Sequence, residues 1–240
     1  MDFNKTSSFA SVAARSTTYD ASLRDYMVKV YNFMAIAMCI SGATAFLVSS
    51  SPALMQLFFG TPLAWVVMFA PLGFVIFFAH KLQRISAQQA KNYLWIYSGL
   101  MGLSLATIFV VYTGTSIART FFITASVFGG MAYYGYTTKK DLTSLGSFLI
   151  MGLLGLIIAS LVNIFLQSSA MQFALSVIGT FLFIGLTAYD TQRVKQSYYH
   201  FAGAGGDTIS KVAVMGALNL YMDFINLFLM LLHLFGDRRN

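Results

Sequence analysis

Glutamate is absent from this chain, and its eight acidic residues are all aspartates. Charged residues make up only 10% of the 240 positions and hydrophobic ones 58%, a balance that excludes an ordinary soluble domain and suits a chain whose solvent is lipid. The single cysteine, Cys39, lies inside an apolar stretch, which excludes both a disulfide framework and a cysteine metal site. A net charge of +7 raises the question of nucleic acid, but no Lys/Arg cluster is interleaved with aromatics, so nucleic acid is not an expected partner. Basic loops against a lipid bilayer account for the excess. Residues 1–28 lack the short basic region and following apolar core of a cleaved signal peptide. They are Ser/Thr/Ala-rich and read as a flexible cytoplasmic tail, with an amphipathic approach to the first span from about Ala21.

What is present is a series of long charge-free runs. A membrane-spanning helix needs about 20 mostly apolar residues. Lys29 to Lys81 holds two such lengths, broken by SSSPALMQ at 49–56 and by Gly60-Thr61-Pro62. Later runs divide at Thr115 to Arg119 and at Gln167-Ser168-Ser169. The expected spans are 29–50, 62–82, 92–114, 119–138, 143–166, 171–192 and 210–235. The expected fold is therefore all-α, a polytopic membrane protein of seven transmembrane helices in one domain, residues 29–236.

Orientation follows from Lys and Arg, which accumulate on the cytoplasmic side. The N-terminal tail and the second, fourth and sixth loops carry twelve of them; the opposite side carries three, Arg119, Arg238 and Arg239. The N-terminus is expected in the cytoplasm and the C-terminus on the opposite side, as an odd number of spans requires. Small residues at Gly99 and Gly102, Gly129 and Gly130, and Gly152 and Gly155 with Ala159 mark expected close helix contacts.

Two aspartates fall within the apolar runs. Asp223 stands in LNLYMDFINLFLMLLHLF, at the centre of the last span. A carboxylate at mid-bilayer is unfavourable by about 2.5–3.5 kcal/mol on insertion scales, so it needs a partner, a proton or an ion. At 100° per residue, Gly216, Asn219, Asp223, Asn226 and Met230 share one narrow face, with Asn219 and Asn226 one turn to either side of the acid. Asp190, in GLTAYDTQRVK, closes the sixth expected span beside Thr187 and Arg193. On spacing it reads as an interfacial acid paired with Arg193, three residues on. Arg84, at the end of the second span, is on spacing alone a cytoplasmic anchor.

Three stretches carry a family resemblance: TKKDLTSLGSFL (Thr138 to Leu149), SVIGTFLFIGLTAYDTQRVK (Ser176 to Lys195) and LNLYMDFINLFLMLL (Leu218 to Leu232). With them the chain resembles the Bax-inhibitor family, also called the transmembrane Bax inhibitor motif family, in its bacterial form. The resemblance implies a bacterial plasma (inner) membrane protein whose seventh helix is enclosed by the other six, and a pH-sensitive calcium leak with calcium as permeating ion and no cofactor. It also implies that Asp190 and Asp223 form a proton-sharing pair; the polar stripe makes Asn219 and Asn226 candidates to line a path beside it, and calcium's preference for oxygen makes the two carboxylates a candidate transient calcium site. An arginine at the end of the second helix, which tracks protonation of the pair, matches Arg84 when counted back from SGLMGLSL. The segment between the aspartates, SYYHFAGAGGDTISK, is longer than in compact members.

The pair chemistry is physically coherent, because two carboxylates in contact hold one proton between them more cheaply than they hold two charges. Rival readings are weaker. An intramembrane aspartyl protease would share Tyr189-Asp190, but its second motif, GxGD, is here LYMDF, so no enzyme activity is expected. A retinal-type receptor would need a lysine within the last span. The alternative is a regulatory protein that binds another membrane protein, such as a quality-control protease.

Overall fold

A computed structural model describes residues 3–81 and 84–239, with side chains from residue 21 onward. The described residues form nine helices: α1 (Phe3–Ser49), α2 (Pro52–Phe59), α3 (Leu63–Lys81), α4 (Ala87–Leu105), α5 (Ile108–Val111), α6 (Gly114–Thr137), α7 (Thr143–Leu166), α8 (Ser169–Phe201) and α9 (Gly206–Phe235). The side chains of Lys5 and Arg15, counted in the charge asymmetry, lie outside the described residues.

Local chemistry sets the helix ends. Ser51 caps α2 by accepting from the Leu54 amide, with Pro52 in the first turn where its missing N–H costs nothing. Ser86 and Gln89 form a reciprocal capping box on α4. Thr113 caps α6 through the Ser116 amide. Gln167 ends α7 in the left-handed region at φ 51°, and Ser168 caps α8 immediately afterwards. The Asn163 side chain accepts from the Ser168 amide at 3.1 Å and closes this tight turn.

Six helical segments are long and apolar enough to cross a membrane: Ala21–Ser49, Leu63–Lys81, Ala87–Val111, Thr143–Leu166, Ser169–Phe201 and Gly206–Phe235. The expected fourth span, 119–138, falls on α6, which is not among them. Arg119, several Ser, Thr and Gly residues and the tyrosines at 133, 134 and 136 dilute its apolar content. Other boundaries move too. Polar SSSPALMQ, expected as a turn, contains the start of α2, and the turn expected at Thr115 to Arg119 lies inside α6. Residues 21–28 are continuous with α1, and Leu23, Tyr26 and Met27 are buried, so the amphipathic approach is part of the packed core.

The core is organised around α9. Its principal neighbours are α8, α1, α6 and α4, while α3 packs on α4 and α7 on α8. Leu218, Leu220, Tyr221, Leu227 and Leu232 are among the most deeply buried large side chains, whereas α7 exposes Leu154, Ile158, Leu161 and Phe165. That contrast is expected of a central helix and a lipid-facing one. Close approach is made at Gly102, against the backbone of Ser41 on α1, and at Gly135, against the backbone of Ala188 on α8. Gly99, Gly129, Gly130 and Gly155, expected to mark such contacts, face open space.

Candidate functional site

The polar face of α9 is turned onto α8. Gly216 lies against Val194, Met230 against Gly179, and between them Asp223 meets Asp190. The two carboxyl groups are within hydrogen-bonding reach of each other. Asp223 is 5% exposed, and its Oδ2 has no hydrogen-bond partner among the described residues. The Asp190 side chain is 14% exposed and has a cation on its outer side, the Arg193 guanidinium at 3.8 Å. Asp190 thus lies beside both Arg193, three residues on, and Asp223.

The contact depends on the length of the α8–α9 hairpin. The sixth span was expected to end near residue 192, but α8 continues to Phe201 and α9 begins at Gly206. The segment expected as a long loop is largely helix, with a turn of only 202–205. Asp190 thus lies about 16 Å inside the end of α8 and Asp223 about 25 Å from the start of α9, deep enough in both helices to meet.

The flanking asparagines differ. Asn219 lines a cleft of about 330 Å³ on the α8–α9 turn side of the pair, together with Tyr26, Arg193 and Lys211. Asn226 is half-buried on the other side. Neither hydrogen-bonds Asp223 among the described residues. Arg84 is exposed, between α3 and α4 in the chain, and makes no ion pair among the described residues; the cation at the pair is Arg193. A larger cleft of about 430 Å³, between α1 and α6, is apolar apart from Tyr31, Tyr133 and Tyr136 and does not include the aspartates. No group of three or more His, Cys, Asp or Glu side chains comes together among the described residues, so a cation at the pair would complete its shell with neutral oxygens and water.

Sequence reasoning overlooked several residues that hold this region in place. Gln192, two positions after Asp190, accepts from the Leu142 amide at 2.8 Å and donates to the Lys140 carbonyl at 2.8 Å, clamping the α6–α7 loop to α8. Lys195 donates to the Tyr136 carbonyl at 2.8 Å. On α9, the Tyr221 hydroxyl meets Ser41 Oγ at 2.6 Å, and Ser41 reaches the Ser98 carbonyl at 2.8 Å, tying α1, α4 and α9 together. The available signal was a polar side chain inside an apolar run, the same one that marked Asp223.

A helical bundle with a buried carboxyl pair between its two most closely packed helices defines a class of polytopic membrane protein. The family model described as "Inhibitor of apoptosis-promoting Bax1" matches residues 23–240, and the chain belongs to that family, the Bax-inhibitor family. It is 49% identical over 241 residues to an uncharacterized protein of Rickettsia prowazekii, covering 100% of both chains. It is 45% identical over 250 residues to an uncharacterized protein of Caulobacter vibrioides, covering 99% of each. It is also 43% identical over 220 residues to the inner membrane protein YbhL of Escherichia coli, covering 91% of this chain and 94% of the relative.

Proposed function

We propose that the protein is a pH-sensitive calcium leak of the bacterial inner membrane, gated by the proton shared between Asp190 and Asp223. The observation that carries this reading is the contact of the two carboxyl groups deep in the bundle, with one buried oxygen left unpartnered. A shared proton holds α8 and α9 together. Its loss leaves two negative charges in contact in a low-dielectric interior, which favours separation of the helices and entry of a cation. Calcium takes six to eight oxygens, so two carboxylates with Asn219, Asn226 and water would bind it weakly enough to let it pass. Arg193, already beside Asp190, is positioned to stabilise the freed carboxylate, the role the resemblance implied for Arg84.

In this reading α6 crosses the membrane with the other six, because it packs along both α8 and α9 and turns Ser116, Thr120 and Thr124 into the bundle, where they are buried. Seven spans put the N-terminus in the cytoplasm and the C-terminus outside. The name of the Escherichia coli relative supports the inner membrane as the location.

The test is calcium flux into liposomes that hold only the purified protein, followed from about pH 6 to 8. Wild type is expected to conduct more as the proton leaves. Asp190→Asn and Asp223→Asn are each expected to flatten or displace that response. Absence of flux at every pH, or variants that respond as wild type does, would sink the reading.

A further inference from the structure

The cleft beside the pair has the wrong lining for a simple cation mouth. It lies between α1, α8 and α9, with a volume of about 330 Å³, and no carboxylate is among the residues that line it. Two cations reach it, Arg193 from α8 and Lys211 from α9. A third, Lys29 of α1, stands next to it, donating to Ser210 at 2.7 Å. Each lining cation is only loosely held: Arg193 to Asp190 at 3.8 Å and Lys211 to Asp207 at 3.5 Å, against about 2.7–2.9 Å for a charge-assisted hydrogen bond. Donors are therefore to spare.

The side chains of Ser197, Thr208 and Tyr26 share the lining. Tyr26 is 4% exposed, yet its hydroxyl has no hydrogen-bond partner among the described residues. A guanidinium fork and an ammonium at one small cleft form a donor set suited to a multivalent oxyanion.

We propose that this cleft binds a phosphate group, either free phosphate or the headgroup of an anionic lipid, through Arg193 and Lys211. Arg193 is common to the cleft and the aspartate pair. A bound phosphate competes with Asp190 for that guanidinium, leaving the pair with less positive charge beside it and so keeping the proton in place. This regulatory consequence rests on the leak reading; the binding does not.

Calorimetric titration of inorganic phosphate into the detergent-purified full chain, at ionic strength held constant with chloride, reads the first source. Thermal unfolding of the chain in phosphatidylcholine nanodiscs with and without phosphatidylglycerol reads the second. Saturable binding is expected in at least one arm, and the arm that responds identifies the source. Lys211→Gln and Arg193→Gln should each weaken it about tenfold or more, as expected for loss of a charged hydrogen-bond donor. Arg193→Lys, which keeps the charge, should retain most of it. The unfolding midpoint of each variant checks that it is folded. No saturable response in either arm, or wild-type binding in both glutamine variants, overturns the proposal. Neither readout depends on flux, so a chain that binds phosphate but does not leak leaves the site standing, and one that leaks without binding removes it.

Discussion

Asp190 of α8 and Asp223 of α9 meet in the interior of the bundle, and Arg193, one turn beyond Asp190, is the cation beside them. The three groups form a line from the buried carboxyl outward. Asp223 is almost wholly enclosed, Asp190 is partly reached by solvent, and the Arg193 side chain is 58% exposed.

Arg193→Gln should displace the pH response of the pair without abolishing it. A nearby cation favours the ionised form of a carboxyl, so removing it makes the pair keep its proton to higher pH, and the midpoint of calcium flux in liposomes moves upward. Because the guanidinium is mostly solvated, the displacement should be less than about one pH unit. Arg84→Gln, at an exposed position with no ion pair among the described residues, should leave the midpoint where it is. The reverse pattern would assign the cation's role to Arg84.

Two glycines on α6 should respond oppositely to alanine. A Cβ at Gly135 would run into the backbone of Ala188 on α8, and backbone cannot rotate away. Gly135→Ala should destabilise the protein by about 1–3 kcal/mol or more, read as a lower unfolding midpoint in detergent. Gly129 has nothing within 4 Å of that position. Gly129→Ala should be neutral or stabilising by up to about 1 kcal/mol, because alanine loses less entropy in a helix.

Asp141, in the loop before α7, provides a titration outside the membrane. Its Oδ1 accepts from the Thr143 hydroxyl at 2.6 Å and the Thr143 amide at 2.9 Å, and these bonds, the hydroxyl first, hold its carboxyl below the ordinary value of 3.8. A lowered folded-state value means that the contribution to stability is complete above the unfolded value and is lost as pH falls through the folded one. Any effect is therefore confined to pH below about 4. Thr143→Val removes the hydroxyl and should move the Asp141 carboxyl back toward 3.8, as read by carbon-detected NMR titration.

The stripe on α9 was legible because a helix repeats every 3.6 residues and Asn219, Asp223 and Asn226 stand out against Leu, Phe and Ile. Its contact was not. Meeting Asp190 required α8 to run on through SYYH to Phe201, and polar residues around a Gly-rich turn look the same whether they prolong a helix beyond the lipid or leave it. A linear reading pairs Arg193 with Asp190 and makes Arg84 a cytoplasmic anchor; that Arg193 also stands beside the contact with Asp223 is visible only in the packing of α8 against α9. The cleft at Tyr26 was hidden for a similar reason, because its lining comes from three helices and Tyr26 belongs to the stretch read as the approach to the membrane. Arg119 was read as loop charge, but it lies within α6 and reaches the Phe235 carbonyl at 3.0 Å and Asp237 at 3.3 Å.

Gln192 gives the means to separate anchoring from gating. It stands two residues from Asp190, and its amide makes both bonds that fix the α6–α7 loop to α8. Gln192→Met keeps the length of the side chain and removes both. The Leu142 amide, on a residue only 5% exposed, then loses its acceptor, at a cost of about 1–3 kcal/mol. A lower unfolding midpoint and faster amide exchange at Leu142 are expected. No charge changes and no group facing the aspartates is altered, so the pH midpoint of flux should stay at the wild-type value even as stability falls. A displaced midpoint in Gln192→Met would mean that the loop, and not the charge beside Asp190, sets the response of the pair.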